Sequence, residues 1–80
     1  MVAEGLNIFR VKLPPRLLGV SLAESGIRQK TGCNVVAVRH HDGLRVNPDP
    51  AESLEKDTEL ILISTPEGQD LFLKQYARRK

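Results

Sequence analysis

The chain has 80 residues, 40% of them hydrophobic, with two Phe, one Tyr and no Trp, enough for one small aliphatic core. The formal net charge is +2, but Arg78, Arg79 and Lys80 supply three of the 12 basic residues. The remaining nine face ten acidic residues, which leaves no basic stripe to track a nucleic-acid backbone. One cysteine excludes an internal disulfide and a multi-cysteine zinc site, and no apolar run is long enough to span a bilayer.

The N-terminus lacks the basic and apolar regions of a signal peptide, and residues 1–5 are expected to be a linker at a domain boundary. Residues 6–13 predict a strand, because Phe9, Val11 and Leu13 alternate with Arg10 and Lys12. Pro14 and Pro15 end it, since neither can donate a ladder hydrogen bond. Leu17 and Leu18 are expected to pin the connector to the core. Ser21-Leu22-Ala23-Glu24 has the form of a capping box and predicts one helix running to about Thr31, with Gly26 as a weak point inside it. Gly32 can take the left-handed conformation that ends a helix.

Residues 34–40 predict a central strand covered on both faces, because Val35, Val36, Ala37 and Val38 are apolar without alternation. His41-Asp42-Gly43 predicts a hairpin turn, and residues 44–47 a third strand with Leu44 and Val46 on one face. Pro48-Asp49-Pro50 stops it. A polar excursion over 51–57 is held by Leu54. Residues 59–64 predict a fourth strand, and Thr65-Pro66-Glu67 opens a last helix with Thr65 as N-cap. Leu71, Phe72 and Tyr76 give that helix its apolar side, and Leu73, away from it, is free to meet a partner. The expected fold is α+β: a small β-α-β-β-β-α sandwich, its sheet mainly antiparallel and its helices on one face. It fills residues 6–77, with 78–80 as a solvated basic tail. So small a core would gain from a second copy of the chain.

Little here resembles catalytic machinery. His40 and His41 are adjacent on a strand and point to opposite faces, so they do not grip one ion. Asp49, Glu52, Glu55, Asp57 and Glu59 do not have the spacing of an EF-hand loop. Cys33 has no base at a recognisable spacing, Ser21 is used as a cap, and there is no glycine-rich phosphate loop. A binding or regulatory module is expected, not an enzyme. The joint at 27–38 places Arg28, Lys30 and Asn34 beside the most apolar strand. Those residues suit a helix cap leading into a core strand; they also suit a rigid scaffold presenting polar groups to a ligand.

At this point the order of segments resembles a known family, the TrkA-C or RCK_C domain of regulators of potassium conductance. The carrying residues are Leu18-Gly19-Val20-Ser21-Leu22, Ile27-Arg28-Gln29-Lys30-Thr31-Gly32 and Asn34-Val35-Val36-Ala37-Val38-Arg39. Asn47-Pro48-Asp49-Pro50 follows, then Leu54 and Asp57 ahead of Leu60 to Ile63. The family usually has Gly-Asp where this chain has Lys56-Asp57, and often Gly where it has Ser64-Thr65-Pro66; both departures fall in turns. The resemblance implies a regulatory homodimer on the cytoplasmic face of the membrane. It would follow a Rossmann-type RCK_N domain and act on the pore of a potassium channel or potassium-uptake system. A purely structural dimerisation module, or the regulatory domain of another cation transporter or antiporter, are the alternatives. In some members the dimer interface binds cyclic di-AMP, and the matching positions are Ile27, Arg28, Asn34 and Val35. No metal and no catalytic residue is implied.

Overall fold

The computed structural model describes residues 5–77. The basic tail at 78–80, and the expected linker apart from Gly5, lie outside the described residues. Four strands form one antiparallel sheet: β1 (Asn7–Lys12), β2 (Asn34–His40), β3 (Gly43–Val46) and β4 (Glu59–Ser64), in the order β1-β4-β2-β3. β4 lies inside the sheet, and its apolar run Leu60 to Ile63 is buried or half-buried throughout. Its Leu60 and Leu62 are fully buried opposite Val11 and Phe9 of β1. The α+β sandwich with helices on one face is therefore as expected, and α1 (Leu22–Ser25), α2 (Ile27–Thr31) and α3 (Pro66–Phe72) supply its helical layer.

The single helix expected from Ser21 to Thr31 is two. Gly26 adopts φ 71°, ψ 13°, a left-handed conformation that ends α1 and starts α2. Ser25 closes the break: its hydroxyl donates to the Leu22 carbonyl at 2.7 Å and accepts from the Ile27 amide at 3.2 Å. Half of the capping box forms, with the Ser21 hydroxyl accepting from the Glu24 amide at 3.2 Å. Gly32 caps α2 at φ 79°, and its amide donates to the Arg28 carbonyl at 2.9 Å.

Three burial expectations need correction. Leu17 is buried, but Leu18 is 52% exposed, because the short 3-10 turn Pro15–Leu17 points Leu17 inward and leaves Leu18 extended beyond it. Leu71 is 42% exposed, because the buried stripe of the last helix is Gly68, Phe72 and Tyr76, each four residues from the next. The second strand is not covered on both faces. Leu44 and Val46 of the edge strand β3, with Ile8 of β1, leave the other side of the sheet exposed and apolar. A bulge between Val35 and Ala37 adds a half-turned Val36 to it. Leu73 is exposed off the stripe, as expected.

Gly68 is where α3 meets the end of α2. A Cβ there would meet the Thr31 carbonyl at 2.9 Å and the Ser64 Cβ and Oγ at 3.2 Å. Gly→Ala in an open helix interior stabilises by about 1 kcal/mol. At Gly68 the backbone collision reverses the sign, and a loss of about 1–3 kcal/mol is expected for Gly68→Ala in urea unfolding.

The three aromatics of the chain form one cluster. Tyr76 is its outer member, and its hydroxyl donates to the Ser25 carbonyl at 3.0 Å. The Arg16 guanidinium sits over the Tyr76 ring, 6.0 Å from its centroid, and hydrogen-bonds the Gln75 carbonyl. Burial raises the Tyr76 phenol above its ordinary value, and Arg16 opposes this in part. The unfolded phenol titrates near pH 10, as about 10 is its ordinary pKa. The folded phenol holds its proton to higher pH, so its contribution to stability is complete below about pH 10 and is lost as pH rises through the folded value. Tyr76→Phe should remove this alkaline fall from a series of unfolding curves. It should also cost about 1 kcal/mol at neutral pH for the missing hydrogen bond.

Candidate functional site

The joint between α2 and β2 is built by local hydrogen bonds. The Thr31 hydroxyl donates to the Ile27 carbonyl at 2.6 Å and accepts from the Cys33 amide at 3.2 Å. The buried Cys33 thiol donates to the Gly68 carbonyl at 3.2 Å, which ties the joint to α3. Cys33 is thus a small structural residue here. The rigid turn fixes the positions of the residues on either side of it.

Those residues line a hollow of about 280 Å³. β3 pairs with β2 only from Ala37 onward, so the edge of β2 at Asn34 and Val35 is left without a β3 partner. The hollow opens at that edge. Ile27, Arg28, Asn34 and Val35 all line it. Ile27 is part of the core and forms a fixed apolar wall, and Val35 is half-buried beside it. Arg28 and Asn34 are exposed. Among the described residues, no carboxylate pairs with Arg28. The guanidinium therefore has its donors available, as has the exposed Asn34 amide.

Sequence reasoning missed the opposite wall, which is Leu22 of α1 with Pro48 and Pro50. The Ala23 amide donates to the Pro50 carbonyl at 2.9 Å, and this clips the proline segment against α1. The segment Asn47-Pro48-Asp49-Pro50 was legible as a strand stop. Its place on the same hollow as Arg28 depends on chain return over some twenty residues, which no local pattern encodes.

The other candidates fall apart spatially. The His40 Nδ1 lies 3.4 Å from the Thr58 hydroxyl, while His41 is exposed in the turn. Among the described residues, no group of three or more His, Cys, Asp or Glu side chains is placed to hold a metal ion. Several carboxylates have other uses: Glu52 pairs with Arg45 at 3.0 Å, Asp49 accepts from the Ala51 amide at 2.9 Å, and Glu59 lies between Arg10 and Arg39 at 3.8 and 3.7 Å. Among the described residues, no helix is long and apolar enough to cross a membrane.

A two-layer α+β domain with a hollow at the sheet edge is the class that this fold defines. The chain belongs to the TrkA-C domain family, a family of regulatory domains, whose model matches residues 6–76. It is similar to the RCK domain of GsuK, with 37% identity and a TM-score of 0.84 over 95% of this chain and 17% of that one. The chain therefore spans about a sixth of that relative's length. It is also similar to the RCK C domain of the potassium transport protein KtrA in complex with cyclic di-AMP. Identity there is 26% and the TM-score 0.81, covering 86% of this chain and 81% of that one. The RCK_C domain dimer of S. agalactiae BusR, also in complex with cyclic di-AMP, shares the fold at 19% identity. Its TM-score is 0.77, with coverage of 90% and 97%. No curated protein sequence matches the chain.

Proposed function

We propose that the chain is a ligand-sensing, dimerising regulatory domain of a potassium channel or potassium-uptake system, and that its effector is cyclic di-AMP. The domain would span residues 6–77. In the whole protein it would follow a Rossmann-type RCK_N domain and work at the cytoplasmic face of the membrane beside the pore. The observation that carries this reading is the hollow at the α2–β2 joint. It brings an exposed guanidinium and an exposed amide against apolar walls on a rigid frame, in a fold similar to that of the KtrA domain.

Size argues for a shared site. Small-molecule sites usually enclose about 300–1,000 Å³. One hollow of about 280 Å³ falls just below that range, while two copies facing each other offer twice as much. Cyclic di-AMP has two-fold symmetry, and an isologous dimer presents each residue twice to such a ligand. Each Arg28 would donate to a phosphate and each Asn34 to an adenine edge, with Ile27, Val35 and the prolines against the base. Ligand held by both copies favours one dimer arrangement over another. Differential affinity of that kind is what passes a signal to a gate.

Calorimetric titration of the chain with cyclic di-AMP tests the proposal. Saturation at one ligand per two chains is expected, together with a shift of the chain toward dimer in sedimentation. No heat at concentrations where the chain is already dimeric would overturn it.

A further inference from the structure

We infer that the chain carries a second small-molecule site, for an organic anion with an apolar body, at the end of the sheet opposite the α2–β2 joint. The space there is about 570 Å³, twice the hollow at the joint and inside the usual range for a ligand site. His40 lies six residue steps along β2 from Asn34, so the two sites stand roughly 20 Å apart along the strand.

Three segments converge on this space. The connector after β1 supplies an apolar wall of Leu13, Pro15 and the exposed Leu18. Its backbone is stiffened by two prolines, and the Leu13 amide donates to the Thr58 carbonyl at 2.8 Å, which clamps it to the turn before β4. The end of β2 supplies Arg39 and His40, and His40 is steadied by Thr58. The turn before β4 supplies Lys56, and Asp57 beside it is held at φ 66°, a left-handed conformation uncommon for any residue but glycine.

Charge selects the ligand. Lys12 pairs in register with Glu59, and Glu59 with Arg39, so these three stand side by side across neighbouring strands. Glu59 is shared between the Arg10 and Arg39 guanidiniums. The lining then holds three cations, Lys12, Arg39 and Lys56, against two carboxylates, Asp57 and Glu59, an excess of one positive charge, and Arg10 beside Glu59 adds to it. Among the described residues no carboxylate pairs with Lys12 or Lys56. A carboxylate, sulfonate or phosphate ester would complete the charge, and its apolar body would cover the exposed Pro15 and Leu18 and the half-buried Leu13.

The test uses the full chain and anilinonaphthalenesulfonate as probe, with the uncharged phenylnaphthylamine as comparison. The sulfonate should bind with a rise in fluorescence, and its amide perturbations in a nitrogen-15 spectrum should centre on Leu18, His40 and Lys56. Lys56→Glu and Leu18→Asp, both at exposed positions that the fold does not need, should each weaken it by about ten-fold. Arg28→Ala should leave it unchanged, which separates this site from the one at the joint. Equal binding of the uncharged compound would overturn the inference. So would perturbations centred on Asn34 or Val46, or indifference to both substitutions.

Discussion

Alanine at Phe72 is expected to bring the domain to the edge of unfolding at room temperature. Phe72 is fully buried, and it is the hinge of the aromatic cluster. Its ring meets Phe9 edge-on at 6.1 Å between centroids and Tyr76 at 5.1 Å. It therefore joins β1, on one side of the core, to the turn Leu73–Ala77 on the other. Phe→Ala in a core costs about 3–5 kcal/mol, because a cavity is left as well as transfer energy lost. Small domains hold only about 5 kcal/mol in total, so the substitution removes most of it. The chain has two other aromatics and no Trp, so nothing large enough is at hand to refill the space. Urea unfolding followed by circular dichroism should show little or no folded baseline. Leu18→Ala, at an exposed apolar position of the connector, should change the stability by less than about 0.5 kcal/mol. A loss below about 1 kcal/mol for Phe72→Ala would mean that the aromatic cluster does not hold the two sides together.

The signals that predicted the fold well are those set by neighbours in sequence. Alternation gave β1, the uninterrupted apolar run gave β4, and Thr65-Pro66 placed the start of α3, where the Thr65 hydroxyl accepts from the Gly68 amide at 3.1 Å. Gly32 behaved as a cap for the same reason. The failures are of another kind. Gly26 could equally be tolerated inside a helix or break it, and Ser25 decides the matter by filling the break with its own hydroxyl. Leu17 and Leu18 are the same residue type, and only the tight 3-10 turn distinguishes them. β2 looked fully covered because Val36 carries the same apolar signal as Val35; the bulge that turns it outward depends on pairing with β4. At the Lys56-Asp57 turn, where the family more often has Gly-Asp, Asp57 itself takes the positive φ, which aspartate tolerates better than most residues. For the candidate site the same division holds. Ile27, Arg28, Asn34 and Val35 are close in sequence and were readable as one joint. Leu22, Pro48 and Pro50 reach it by tertiary return and were not.

The second large effect concerns ligand affinity and not stability. If two copies share one cyclic di-AMP, every substitution at the site acts twice. A hydrogen bond to a charged partner is worth about 1.5–3 kcal/mol, so Arg28→Ala on both sides should cost about 3–6 kcal/mol, at least 100-fold in affinity. Arg28 is exposed and, among the described residues, has no carboxylate partner, so stability should hardly change, by less than about 0.5 kcal/mol. Arg28→Lys keeps the charge but loses the planar fork, and should retain only part of the affinity. Asn34→Asp removes a donor and adds two negative charges per dimer beside a dianionic ligand, so it should weaken binding at least as much as Arg28→Lys. Weaker binding with one ligand still per two chains would place these residues on the ligand itself. Weaker binding with the dimer lost in the absence of ligand would instead make Arg28 a residue of the protein–protein contact. Unchanged affinity in Arg28→Ala would move the ligand away from the joint altogether, because no other described side chain on that hollow carries a fixed positive charge.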